Sequence, residues 1–439
     1  MKCFSFLSII IIFTGCASFS HQNKELSKNE VEQEYKGKAT KIIKETRGKK
    51  EVLMILSLSG GGSRAAYFSG MVMLELQKEG LLTEVDVITS VSGGSLPAAY
   101  YAISIDPGDP NHNDVASKRI WDEKNVKDLM KRNYLGRWVA NWFHPWNILR
   151  FWFTSYDRSD IMAQTFSDNM YDVKNGTRDL RFQDINEERP YLIINSTNAT
   201  NKINSPDPYS SYFTFTYDDF HEIDSDINEF EIGRAVMASA AFPGVFNYVT
   251  LKNYNYKDKD RYIHVFDAGT RDNLGLPTVI EIITKDENDC KKYKHIIVIL
   301  VDSYSSPKGI SENKFDPREY FGHFIDMNIL DAFSSLLESN RGKSIQELKR
   351  LQAEYGSKKF SFWHIEFDNV EKSCDLVNDI NDKDKCLELS YNLKNKIPTS
   401  FKISNKDVQT IEDGVKVIFQ TKFARENIDR IKEILNLSN

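Results

Sequence analysis

An α/β fold, with a mainly parallel central sheet flanked by helices, is the class this sequence predicts, and three observations predict it. Strand-like apolar runs alternate with helix-favouring segments along most of the chain, the order that lays helices on both faces of a parallel sheet. The run Ile296-Ile297-Val298-Ile299-Leu300-Val301 is apolar throughout, as a central strand covered on both faces must be. Glycine-rich turns follow two of the expected strands directly, and in open α/β sheets such strand ends are where ligands sit.

Strands are expected at about 51–58, 86–91, 191–197, 211–217, 246–251, 261–266, 294–302 and 360–367, with helices between most of them. Helices near 325–353, 405–421 and 423–437 should pack round the sheet, and the polar stretches 201–209 and 304–319 read as surface loops. A chain of 439 residues with 41% hydrophobic and 12% aromatic content can bury a large core. Its net charge of −6, without a basic block, argues against a nucleic-acid partner. The spacing of Cys and His fits no metal site, and Asp379 to Asp384 lacks the glycine turn of a calcium loop, so neither metal nor cofactor is expected.

The first turn is Ser59-Gly60-Gly61-Gly62-Ser63-Arg64, directly after Val52 to Leu58. Consecutive glycines let backbone N–H groups face a ligand, and an anionic group is the natural guest at the helix start that follows. Gly60-x-Gly62-x-x-Ala65 also fits a dinucleotide fingerprint. That reading needs an acid at the end of the second strand; Glu84 and Asp86 precede the strand, and Ser92 stands at its end. Arg64 and Ala65 occupy the places where a nucleotide-triphosphate loop carries Lys and Ser or Thr.

The second turn follows Val87 to Val91 and reads Ser92-Gly93-Gly94-Ser95 before a helix-favouring stretch. This is a nucleophile elbow in outline: one serine is lifted onto a tight strand-to-helix turn, with small residues two places on either side. Ser90 and Gly94 meet that need around Ser92. The third element is the strand Tyr262 to Phe266 ending in Asp267-Ala268-Gly269, with Asp272-Asn273 beyond as turn and capping residues. Asp267 either caps a turn or stands at the sheet's active edge.

Taken together the three elements resemble the patatin-like phospholipase family. Its pattern is a glycine-rich oxyanion loop followed by Arg, a serine elbow and an Asp-Gly-Gly-type motif, and all three occur here in that order. Ala235 to Phe246 is similar to the family's small-residue helix leading into a Pro-Phe segment. The departures are Ser59 where the loop usually begins with Asp, Ser90 for the first elbow glycine, and Ala268 for the middle residue of Asp-Gly-Gly. The resemblance implies a three-layer patatin-like fold with a catalytic core over residues 51–305 and a C-terminal helical extension, 306–439, packed on the same domain. It implies Ser92 as nucleophile, Asp267 as base, Gly60, Gly61 and Gly62 as the oxyanion hole, and phospholipids or lysophospholipids as substrates. Arg64 would support the site by positive potential or serve as a structural ion pair. A different hydrolase, with a triad, would join Ser92 and Asp267 to His295, His323 or His364; a weakly catalytic surface lipoprotein binding lipid or a host partner is a third alternative.

Residues 1–15 read as a lipoprotein signal peptide: Lys2, an apolar Phe4 to Phe13, then Thr14-Gly15 before Cys16, the expected lipid attachment site. Residues 16–50 read as a polar tether, placing the enzyme on a bacterial envelope membrane, the outer membrane or the cell surface. Either Cys374 and Cys386 pair, or Cys290, Cys374 and Cys386 are three unpaired thiols. Finally, Tyr134 to Phe153 crowds Trp138, Trp142, Phe143, Trp146, Phe151, Trp152 and Phe153 beside Arg137, His144 and Arg150. It reads as core first, and as a lid or docking surface second.

Overall fold

The computed structural model describes residues 23–27, 51–110, 115–173, 178–200, 211–258, 260–285, 293–305, 327–374 and 379–436. The signal segment with Cys16, and also Cys290, His323 and the loop 201–209, lie outside the described residues.

The central sheet contains β1 (Val52–Leu58), β2 (Val87–Ser90), β3 (Tyr191–Asn198), β4 (Tyr212–Phe215), β5 (Val249–Asn253), β6 (Arg261–Asp267), β7 (His295–Asp302) and β8 (Phe360–Glu366). Its order is β8-β7-β1-β2-β3-β6-β5, with β4 also paired to β3. The five strands from β8 to β3 run parallel, whereas β4, β6 and β5 join antiparallel. All eight expected strands are present; the largest shift is in β5, which begins at Val249, after the turn at Pro243 to Phe246.

Period-two alternation sends the parallel strands' side chains to two separate cores. Met54, Leu56, Ile297 and Ile299 belong to one, and Leu53, Ile55, Ile296 and Val298 to the other. The first core is closed by α1 (Gly62–Lys78), α2 (Ser95–Ile103), α7 (Ile232–Ser239) and, near the C-terminus, α12 (Asn405–Gln420) and α13 (Lys422–Leu435). The second is closed by α8 (Leu276–Lys285) and α9 (Met327–Tyr355). Three layers result, as the alternation of strands and helices predicts.

Residues beyond 305 are more than an external extension, because β8 completes the sheet beside β7 and α12 packs on α1. Cys374 at the end of α10 (Asp368–Cys374) forms a disulfide with Cys386 in α11 (Ile380–Asn395). At the other end, part of the expected tether is docked. Lys24–Glu25 pairs antiparallel with Ser225–Asp226, and the buried Asn23 side chain imitates a strand by donating to Lys252 O at 2.8 Å and accepting from Lys252 N at 2.8 Å.

The aromatic segment departs from its first reading. It forms a helical hairpin, α4 (Tyr134–Trp142) and α5 (Pro145–Phe153), ahead of α6 (Arg158–Asn169), with α3 (Glu123–Met130) before it. Tyr134 is buried against Phe166, and Trp138 packs on Trp142 and Phe246. Phe143, Trp146, Trp152 and Phe153 face outward instead. Two short helices offer too little inner face for so many rings, so the surplus lies on the surface.

Candidate active site

Strand pairing brings the two chemical residues together. β2 leaves β3 at the pair Ser90–Ile194, and β6 arrives antiparallel two residues further on, at the pair Asp267–Ser196. Ser92, two residues beyond the end of β2, therefore meets the end of β6 head on. Its Oγ donates to Asp267 Oδ2 at 3.3 Å, and both residues are buried.

Ser92 has φ 48°, a left-handed conformation that costs a non-glycine residue of order 1 kcal/mol or more. The surroundings hold it there. Its N–H donates to Ser239 Oγ at 2.8 Å, and Ser239 Oγ also accepts from Ser95 Oγ at 3.3 Å. The elbow and the glycine loop touch backbone to backbone: a Cβ on Gly93 would come within 2.1 Å of Gly62 O, and one on Gly94 within 2.5 Å of Ser59 O. No side chain fits at either position.

Asp267 is fixed from several directions. Its Oδ1 accepts the Gly269 N–H at 2.7 Å, its N–H donates to Ala241 O at 3.1 Å, and its carbonyl accepts from Thr197 and Thr270 hydroxyls. Burial pushes its carboxyl up to about 7, against the opposing hydrogen bonds from Gly269 and Ser92. A carboxylate with that value is balanced near neutrality, where a general base works best.

The three glycines play different parts. Gly60 N–H is already engaged, donating to Asn273 O at 2.9 Å, while its carbonyl accepts from Ser303 Oγ and Asn273 Nδ2. This corrects the expectation that it is an oxyanion donor; Gly60 positions the loop. Gly61 and Gly62 take φ 138° and 60°, and their N–H groups have no acceptor among the described residues. They stand at the start of α1, where its dipole favours negative charge.

Arg64 supports the site mechanically. It is buried and donates to Ser303 O, Ser305 Oγ and Ile397 O at 3.0, 2.7 and 2.8 Å, tying the glycine loop's helix to the end of β7 and to the C-terminal segment. These acceptors are uncharged, so the expected ion pair is replaced by a strut; burial lowers the guanidinium to about 10, with Asp302 opposing. Asp272 is the turn residue its position suggested: it accepts Leu274 N and Leu276 N and the Ser344 hydroxyl, and burial raises it to about 6.

Neither described histidine of the alternative triad reaches Ser92. His295 begins β7, at the opposite end of the sheet, and bonds Lys358 O and Ser361 Oγ. His364 bonds Asp302, within a network that Arg341 shares with Asp302 and Glu366. Asp302, His364 and Glu366 lie close enough to suit a cation, but Arg341 already pairs with both carboxylates, at 2.7 and 2.8 Å.

Sequence reasoning gave Ser239, Ser303 and Ser400 no part in the site and read Asn273 only as a turn residue. Ser400 O accepts Ser63 N at 2.7 Å and would lie 2.4 Å from a Cβ on Gly62. Ser239 alone had a usable signal, as one hydroxyl among the small residues Ala238, Ala240 and Ala241. The others act through loops distant in sequence.

The model of the patatin-like phospholipase family matches residues 56–280, just over half of the chain. Among solved structures, human GIVD cytosolic phospholipase A2 is similar with a TM-score of 0.50 at 12% identity, over 95% of this chain and 68% of that one. VipD from Legionella pneumophila is similar at 11% identity over 87% of this chain and 67% of that one, with a TM-score of 0.32. No curated protein matches the chain significantly. With the matched span running from the first strand through the glycine loop, elbow and β6 into α8, the chain belongs to the patatin-like phospholipases, a family of lipid acyl hydrolases.

Proposed function

We propose that the protein hydrolyses carboxylic esters of phospholipids or lysophospholipids through a Ser92–Asp267 dyad. The observation that carries this is the Ser92 Oγ bond to Asp267 Oδ2 at 3.3 Å, on a strained elbow packed against the glycine loop, where the Gly61 and Gly62 N–H groups have no acceptor among the described residues.

Ser92 Oγ attacks the ester carbonyl carbon while its proton passes to Asp267, which serves directly as base. The carbonyl oxygen becomes an oxyanion held by Gly61 and Gly62 N–H; one such donor is worth about 3 kcal/mol in comparable sites. Collapse breaks the bond to the alcohol, which leaves with the proton from Asp267, as a lysophospholipid from a phospholipid or as a glycerophosphodiester from a lysophospholipid. Water, deprotonated by Asp267, then attacks the acyl-enzyme; Ser92 regains its proton and a free fatty acid departs. Burial near neutrality suits Asp267 to both proton transfers, since it can hold and release a proton within the working range.

The same proposal takes Cys16 as the lipid attachment site that holds the enzyme at a bacterial envelope membrane. Fatty-acid release from defined phospholipids tests the enzymatic claim. The parent should release fatty acid, and Ser92→Ala, with its fold intact, should lose at least about a thousandfold. An undiminished Ser92→Ala would contradict the assignment. Metabolic labelling with an alkynyl fatty acid tests the anchor, and label retained by Cys16→Ala would refute it.

A further inference from the structure

The hairpin of α4 and α5 is inverted in polarity. On α5, Trp146 and Trp152 are 64% and 74% exposed, whereas the uncharged polar Asn147 is only 4% exposed and donates to Asn141 O at 2.8 Å. Phe143, between the helices, is 72% exposed, and Leu149 and Phe153 also face outward. Contiguous apolar surface of this kind marks a contact with a partner or a membrane.

Charge decides between them. Residues 134–153 contain no Asp or Glu, although the chain has 63. Arg137 and Arg150 are exposed on the same hairpin. Protruding Trp and Phe rings flanked by guanidinium groups suit the interface of an anionic bilayer, with the rings at headgroup depth and the cations on phosphates.

Position gives the surface a purpose. Leu135 N donates to Phe401 O, and Phe401 follows Ser400, whose carbonyl accepts Ser63 N beside the glycine loop. Trp138 packs on Phe246, in the segment that continues from Ala241, the acceptor of the Asp267 N–H. The hairpin thus touches the segment that holds the glycine loop and the segment that leads to Asp267.

We propose that α4 and α5 form a membrane-docking hairpin that inserts Phe143, Trp146, Leu149, Trp152 and Phe153 into the interface of an anionic bilayer. That Ser92 should meet lipid rests on the hydrolase reading above. Docking itself needs no turnover, so it is measured in the full chain carrying Ser92→Ala.

Vesicles of equimolar phosphatidylcholine and phosphatidylglycerol with brominated acyl chains quench tryptophan at interfacial depth. Residues 1–50 contain no tryptophan, so an N-terminal anchor adds no signal of its own. Vesicles should quench the fluorescence, and the quenched component should disappear in Trp146→Ser with Trp152→Ser. Arg137→Glu with Arg150→Glu should lower partitioning onto these vesicles roughly tenfold and leave phosphatidylcholine vesicles within about twofold. Quenching in a chain whose parent releases no fatty acid would support docking while removing the hydrolase reading. Absence of bromolipid quenching at Trp146 and Trp152 would overturn the proposal. So would a dimer that shields both rings from acrylamide in solution, which would make the hairpin a self-association face.

Discussion

Asp267 connects chemistry to pH at the scale of a single residue. Its folded carboxyl titrates near 7 because of burial, whereas an unfolded aspartate titrates near about 3.9. Dyad chemistry requires the ionised form, so kcat/KM should rise with pH to a plateau, with a midpoint near 7, and Asp267→Asn should lose activity across the range. The stability effect has the opposite sign. Between those two values the folded state holds a proton that the unfolded state releases, so stability falls as pH rises through this window. Asp267→Asn, always neutral, should therefore match the parent's melting temperature near pH 4 and exceed it above pH 7, the gain in stability being a few kcal/mol at most. A melting temperature below the parent's at pH 8 would show that the carboxylate stabilises the fold. Ser92 and Asp267 were both singled out in the sequence, since Asp267 ends a strand and Ser92 stands in the turn just beyond one. The serines that replace the family's usual residues were less so: Ser59 Oγ accepts Ser303 N, and Ser90 Oγ donates to Ile193 O, so both hydroxyls are used inside the sheet.

Helices and strands govern how the dyad is held. Arg64 joins α1 to the end of β7 and to Ile397, and its acceptors would be left buried and unpaired without it. Arg64→Gln should destabilise the protein by about 2 kcal/mol and lower kcat/KM about tenfold or more. If the residue acts as a strut, the midpoint of the pH profile stays near 7; a midpoint displaced by a full unit would assign it an electrostatic part at Asp267. Strand positions were readable because apolar runs and their turns are local. The hairpin's inside-out faces were not, because an aromatic stripe has the same helical period whether it packs inward or outward. Gly60's true role was equally hidden: its acceptor, Asn273, lies in a loop 213 residues away.

The whole molecule resolves into a sheet whose parallel half supplies the glycine loop and elbow, while its antiparallel part delivers Asp267. The three-layer class was legible from alternation alone. Part of the C-terminal third was legible as well, as the strand expected at 360–367 and the helices expected round the sheet, but the pairing of β8 with β7 and the contact of Ser400 with Ser63 were not, since each joins residues far apart in sequence. The proposed function asks these parts to present a nucleophile at Ser92 activated by Asp267. The most direct measurement is mass-spectrometric mapping of a fluorophosphonate adduct on the full chain at pH 8, compared with Asp267→Asn. The adduct should lie on Ser92 in the parent and form at least about a hundredfold more slowly in the variant. An adduct on another serine, or labelling of Ser92 at an unchanged rate in Asp267→Asn, would contradict the dyad.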